Sequence, residues 1–119
     1  MIKVYCDNFQ KIARNKKALE RNLDVKLNIS GKDIEIEGEA VNEYIAEKVI
    51  NALNFDFPLR TALLIKEEDL EFEILPIKDF TKRHDLKVVK SRIIGKMGKT
   101  LKTLQNLTGC FFEIKDNEV

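Results

Sequence analysis

The sequence has no tryptophan, one histidine, two cysteines, two prolines and five glycines in 119 residues. Each scarcity removes a class of reading. Without tryptophan there is no indole to stack against a ring or base. Cys6 and Cys110 lie near opposite ends of the chain. With His84 as the sole imidazole, they do not make a four-ligand zinc site of the usual spacing. Both thiols read as small apolar residues in the reduced state. His84 stands in a basic segment, where a solvated imidazole or a phosphate neighbour is expected rather than a general base. No nucleophile–base pair can be assembled around it, which points away from an enzyme. No apolar run approaches the roughly 18 residues that span a bilayer. The opening Met1-Ile2-Lys3-Val4-Tyr5 lacks the shape of a signal peptide, and the cytoplasm is the expected compartment.

What is present suits one small globular domain or two very small ones: 44% of residues are apolar and 34% charged. The net charge of +1 conceals an asymmetry. Between Asp56 and Glu73 acids dominate, with Asp56, Glu67, Glu68, Asp69, Glu71 and Glu73 against Arg60 and Lys66. Between Lys78 and Lys102 bases dominate, with Lys78, Lys82, Arg83, Lys87, Lys90, Arg92, Lys96, Lys99 and Lys102 against Asp79 and Asp85. A basic block inside a near-neutral chain points to a polyanionic partner; the competing reading is a solvated helix face.

Alternation at Ile2, Val4 and Cys6 predicts a first strand. Asp7 or Asn8 is placed to cap a helix from Phe9. Its stripe of Phe9, Ile12 and Ala13 breaks at Arg14-Asn15-Lys16-Lys17 and resumes at Ala18, Leu19 and Leu23. Val25, Leu27 and Ile29, a Ser30-Gly31-Lys32 turn, and Ile34 and Ile36 form the clearest hairpin. The helix after Gly38 is expected to bury Val41, Tyr44, Ile45, Val49, Ile50 and Leu53, with Asn42, Glu43 and Glu47 wet. Pro58 fits the first turn of a short helix. Leu70 to Pro76 alternates as a strand that Pro76 limits to an edge or an end. A helix from Thr81 to Ile94, one from Lys99 with Leu101, Leu104 and Leu107 inward, and a strand from Cys110 to Ile114 complete the pattern. Asp33, Glu35, Glu37 and Glu39 make an alternating acidic edge, read as a solvated strand face ahead of a cation site.

Between the last two helices lies Arg92-Ile93-Ile94-Gly95-Lys96-Met97-Gly98-Lys99-Thr100. Gly98-Lys99-Thr100 looks like the end of a P-loop, but that loop requires a glycine where Ile93 stands. A DNA-reading helix-turn-helix would not require the strand expected at Phe111. The strand–helix–turn–helix–strand order is also a repeat of the first half. Ile12 to Leu19 answers to Ile93 to Leu104, the first copy being about four residues shorter at the turn and without its glycines.

These features resemble the archaeal and eukaryotic family of two-KH ribosome-assembly factors, partners of the endonuclease Nob. The likeness runs through Ile2-Lys3-Val4, Asn54-Phe55-Asp56-Phe57-Pro58, Ala62-Leu63-Leu64, Ile77-Lys78-Asp79-Phe80 and Arg92-Ile93-Ile94-Gly95, then Gly98-Lys99-Thr100, Leu104 and Thr108-Gly109. It implies an α+β chain of two tandem type I KH-like units. Residues 1–55 are expected to form a degenerate unit, 56–69 a connector with a short helix, and 70–119 a unit with the glycine turn, truncated at its C-terminus.

A Gly-x-x-Gly turn between helices clamps about four nucleotides. The site expected here is Arg92, Ile93, Ile94, Gly95, Lys96, Met97, Gly98, Lys99, Thr100, Leu101 and Lys102. The glycines admit the phosphate backbone, the lysines and the helix opening at Lys99 attract it, and Ile93, Ile94 and Leu101 floor the groove. Small-subunit (pre-)ribosomal RNA, bound near its 3′ region, is the implied ligand. The endonuclease and the alpha subunit of translation initiation factor 2 are the implied protein partners, and no cofactor, metal or membrane is expected. The alternatives are a protein-interaction scaffold and a single-stranded nucleic-acid module outside ribosome assembly.

Overall fold

The computed structural model describes residues 1–80, 86–94, 99–116, 118 and 119. For Asp79, Phe80, Leu86, Val89, Ile93, Thr100 and Leu101 it describes the backbone only. The chain forms two compact units, Met1–Phe72 and Glu73–Val119.

The first unit runs β1 (Ile2–Tyr5), α1 (Phe9–Arg14), α2 (Lys16–Leu23), β2 (Lys26–Ser30), β3 (Asp33–Glu37), α3 (Ala40–Asn54) and α4 (Leu59–Glu67). Its strands make an antiparallel sheet in the order β1-β3-β2. The period-2 pattern sets the register: Val4 stands opposite Ile34, Ile2 opposite Ile36, and Ile36 opposite Leu27. Gly31 turns the hairpin at φ +59°, with Ser30 and Asp33 paired on either side of Gly31-Lys32. A positive φ at the first central residue fits the type II′ turn, which glycine adopts without strain.

One face of the sheet carries Val4, Leu27, Ile34 and Ile36 into the core, where they join Ile12, Leu19, Leu23, Ala46, Val49, Ile50 and Leu53. The other face is polar. Glu35 pairs with Lys3 at 3.6 Å, and Lys26 stands opposite Glu37. Asp33, Glu35 and Glu37 therefore lie on the central strand rather than on an edge, Glu35 and Glu37 with a lysine from a flanking strand across from them, and Glu39 is the N-cap of the helix that follows. Among the described residues no group of His, Cys, Asp and Glu is arranged to hold a metal ion. At the end of this face Lys32 lies 5.8 Å from the Tyr5 ring centroid and 3.6 Å from an Asp7 carboxylate oxygen. Its ammonium is held above the ordinary lysine value by its hydrogen bond to Tyr5 first and by Tyr5 and Asp7 charge after that.

The helices part from expectation in three places. Asn8 occupies the cap position of α1 but makes no side-chain cap bond; its N–H donates to Asn54 Oδ1 at 3.0 Å and so ties β1–α1 to the end of α3. In α3 the expected stripe holds at Val49, Ile50 and Leu53, with Ile45 packed beside it, and fails in the first turn. Val41 and Tyr44 are 69% and 59% exposed, whereas Glu43 is buried and pairs with the Met1 ammonium at 2.7 Å. The stripe that meets the core is Ala46, Val49, Ile50 and Leu53, and continuing it back one turn points Glu43 inward, not Tyr44. Third, Leu70 to Pro76 is not a strand, and Phe72 instead inserts edge-on against Phe55 and Phe57, both at 6.1 Å.

Lys11, on α1, bridges to the far end of α3. Its ammonium donates to the Phe57 carbonyl at 2.5 Å and to the Leu53 carbonyl at 3.3 Å. The last turn of α3 has no cation of its own, so Lys11 is the positive charge that faces the helix's negative end.

The second unit holds a 3₁₀ turn at Ile77–Phe80, α5 (Leu86–Ile94) and α6 (Lys99–Thr108). Thr81 to Asp85, the expected start of α5, lies outside the described residues. Cys110 to Ile114 forms no strand. Among the described residues, strand-like pairing here consists of bridges joining Pro76 and Lys115 to Glu118, with Leu75 and Val119 exchanging hydrogen bonds at 2.8 and 2.9 Å. The described residues of this unit include no sheet to cover Leu104 and Leu107. Leu104 and Leu107, expected inward, are 36% and 79% exposed. No helix among the described residues is long and apolar enough to cross a membrane.

Candidate nucleic-acid interface

The expected site lies on the α5–α6 pair of the second unit. α5 has the apolar composition of a packed helix and ends at Ile94, which is half-buried. α6 starts at Lys99 and stops at Gly109, whose φ of +71° is the left-handed C-terminal signature glycine supplies. The Gly109 N–H donates to the Gln105 carbonyl at 2.9 Å, and Thr108 Oγ1 accepts from the Cys110 N–H at 3.2 Å, so the exit from α6 is well tied. The two helices pack on one another.

Arg92, Lys99 and Lys102 are exposed on this pair, and Ile94 is half-buried. The backbones of Ile93, Thr100 and Leu101 are helical. Gly95, Lys96, Met97 and Gly98 fall outside the described residues. The structure thus places the residues flanking Gly95–Gly98 in the sequence at the end of one helix and the start of the next.

Electrostatics follow from composition. From Leu86 to Phe112 there is no Asp or Glu, and there are six cations: Lys87, Lys90, Arg92, Lys96, Lys99 and Lys102. Neither helix has an acidic residue in its first turn. The opening of α6 therefore adds the partial positive charge of its unpaired N–H groups to full charges on exposed side chains, with no carboxylate on either helix to offset them. Such an arrangement attracts a chain of phosphates. Hydroxyls at Ser91 and Thr103 donate to the carbonyls of Lys87 and Lys99 within their own helices, at 3.0 and 2.9 Å.

Sequence reasoning missed the basic character of the other helix pair as a surface. Arg14, Lys17 and Arg21 are exposed, with Lys16 half-buried, around the α1–α2 junction. The signal was in the run Arg14-Asn15-Lys16-Lys17, which had been read only as a helix break.

No family model matches the chain. A KH domain-containing protein of Methanocaldococcus jannaschii is 28% identical over 87% of this chain, which spans about half (49%) of that relative's length. Among solved structures, Dim2p from Pyrococcus horikoshii superposes with a TM-score of 0.86 at 20% identity, covering 98% of this chain and 76% of that one. A chain of the a/eIF2alpha–aDim2p–rRNA complex from the same organism gives 0.86 at 18%, covering 98% and 72%. A protein of unknown function from Aeropyrum pernix gives 0.85 at 22%, covering 98% and 70%. These likenesses show the fold: an α+β chain with a three-stranded antiparallel sheet and helices, of the KH-like kind.

Proposed function

We propose that this chain is an RNA-binding protein of two KH-like units, whose second unit grips single-stranded RNA at the turn between α5 and α6. The observation that carries the reading is the acid-free helix pair with Arg92, Lys99 and Lys102 exposed on either side of the Gly-x-x-Gly sequence. In this reading Gly95 and Gly98 let the RNA backbone approach the chain. Lys96, Lys99 and Lys102 meet phosphates, and Arg92 meets a phosphate or a base edge. Ile93, Ile94 and Leu101 form the groove floor, with Met97 and Thr100 beside it.

The ligand proposed is small-subunit (pre-)ribosomal RNA near its 3′ region, held for processing by another protein. The chain does no chemistry itself. Likeness to Dim2p, one of whose structures contains rRNA and a/eIF2alpha, supports this assignment and supports an initiation-factor alpha subunit as a partner. The rRNA-cleaving endonuclease is the further partner that the same task requires.

Fluorescence anisotropy with labelled single-stranded RNA at fixed salt tests the grip. Gly98→Asp places a carboxylate and a Cβ where a phosphate must come close, and is expected to abolish binding of a short oligonucleotide while the far-ultraviolet spectrum stays unchanged. Equal affinity of this variant and the parent would refute the assignment. Each of Lys99→Gln and Lys102→Gln is expected to reduce the slope of log affinity against log salt by about 0.7, the single-strand value per phosphate contact. Tighter binding of duplex DNA than of RNA at matched salt would favour a DNA reader instead.

A further inference from the structure

We propose that the open edge of β1 pairs with the β1 edge of a second copy of this chain, antiparallel and about a two-fold axis at Val4. The contact belongs to the first unit alone and is independent of RNA binding. Each residue of a strand sends its N–H and its C=O to the same side. Ser30 and Asp33 close the hairpin across Gly31-Lys32, so Asp33, Glu35 and Glu37 bond to β2 and leave Ile34 and Ile36 to bond to β1. Two further bonds agree with this. Leu27, opposite Ile36, gives its N–H to Glu20 outside the sheet at 3.0 Å, and the Cys6 N–H reaches the Lys32 carbonyl inside it at 2.8 Å. Ile2, Val4 and Cys6 thus face inward, and Lys3 and Tyr5 turn their N–H and C=O groups out of the sheet. Those four groups have no backbone partner among the described residues, and both side chains are exposed. The β2 edge is less open, because Glu20 already takes the Leu27 N–H there.

An unpaired edge is completed by another strand, and the side chains of β1 select its own copy. Two identical edges must bring outward residues opposite outward residues, which three antiparallel registers do. Lys3 opposite Lys3 sets like charges against each other, which is unfavourable. Tyr5 opposite Tyr5 puts Lys3 level with Asp7, beyond the end of the strand, and leaves one bonded pair. Lys3 opposite Tyr5 gives two bonded pairs, hence four hydrogen bonds, and no like charges meet. Each row across the polar face then reads Glu35, Lys3, Tyr5, Asp33, the last two from the second copy. Lys3 keeps its own Glu35 at 3.6 Å and gains a tyrosine ring. A lysine on an edge strand ordinarily discourages pairing; here it chooses the register. The two-fold axis uses the same edge on both copies and closes the assembly at a dimer.

So short a strip makes a weak dimer, and the test is sedimentation equilibrium of the full chain, without nucleic acid, from about 10 µM to about 1 mM. Over that series the parent is expected to move from the monomer mass toward twice that mass. Tyr5→Pro removes one outward N–H from each copy and sets a ring in the path of the second strand. It leaves the bonds to β3 in place, since proline is tolerated where the N–H of an edge strand faces solvent. This variant is expected to stay monomeric throughout, with an unchanged far-ultraviolet spectrum.

Tyr5→Lys carries the test if the proline variant does not fold. Within its own sheet the new lysine stands opposite Asp33, but across the axis it faces Lys3, and symmetry makes that clash twice. Dimerisation is expected to weaken about tenfold in low salt, with part of the loss recovered as salt is added. A parent that stays monomeric to the top of the series overturns the proposal, and so does a dimer that Tyr5→Lys leaves as tight as before.

Discussion

Replacing Lys11 by methionine should cost the first unit about 2 kcal/mol. Methionine keeps the length and apolar stem of lysine, so packing along α1 is preserved and only the ammonium is lost. Two carbonyls lose a charged donor. The Phe57 bond, at 2.5 Å, is the strong one; that to Leu53, at 3.3 Å, adds little. A hydrogen bond involving a charged group contributes about 1.5–3 kcal/mol, and a cation at a partly buried helix C-terminus adds up to a similar amount from the same charge. The site is part-buried, so water replaces some of what is lost. About 2 kcal/mol remains, near a thirtyfold change in the folding constant. With a urea dependence of about 1 kcal/mol per molar for a unit this small, the midpoint should fall by about 2 M.

Tyrosine emission makes the assay specific. The chain has no tryptophan, and both tyrosines, Tyr5 and Tyr44, belong to Met1–Phe72, so urea unfolding followed by tyrosine fluorescence reports on that unit alone. Lys17→Met, on the exposed side of α2, is the control and should leave the midpoint in place. A fall of less than about 0.5 M for Lys11→Met would show that the helix end does not need its ammonium, and the stabilising role given to Lys11 would be wrong.

Two further expectations concern stability. Gly31→Ala puts a Cβ into open space but at φ +59°, so it should cost about 1–2 kcal/mol through backbone strain alone, read as a lowered thermal midpoint by circular dichroism. Leu53→Ala, in a fully buried position, should cost about 2–5 kcal/mol by the tyrosine assay, whereas Leu107→Ala, at 79% exposure, should move the dichroism transition by less than about 0.5 kcal/mol. A large cost at Leu107 would mean that its side chain is covered in solution.

The first unit was legible wherever a strand had a partner close in sequence. Leu27, Ile34 and Ile36 alternate around a glycine turn, and period 2 left one register to choose. The junction at Asn15 was visible because four polar residues interrupt two apolar stripes. The first turn of α3 was not. Val41 and Tyr44 are apolar enough to count toward a stripe, and Glu43 reads as solvent-facing until its ion pair with the Met1 ammonium is seen. Lys11 is likewise silent in sequence, because its partners lie more than forty residues away, near the end of α3. Alternation at Leu70 to Pro76 and at Cys110 to Ile114 was mistaken for strands. Alternation marks a chain that could be half-buried, but a strand also requires a neighbour to complete its hydrogen bonds. The candidate site was legible as a motif and a charge pattern, since the cations and glycines of Arg92–Lys102 are contiguous. The second basic strip was harder to see, because it carries charge without the glycines that mark a grip.

The central place of β3 has a consequence for the order in which the first unit assembles. β2 and β3 are joined by two residues and can pair as soon as both exist, on the microsecond scale of hairpins. β1, made before β2 and β3, pairs with β3 across a separation of roughly thirty residues and must wait for it. Until then its apolar side chains, Ile2 and Val4, have no sheet to join. Of the three strands the earliest made is thus the last to dock, and amide exchange should find β1 the least protected strand of the sheet, with the hairpin persisting after β1 has frayed.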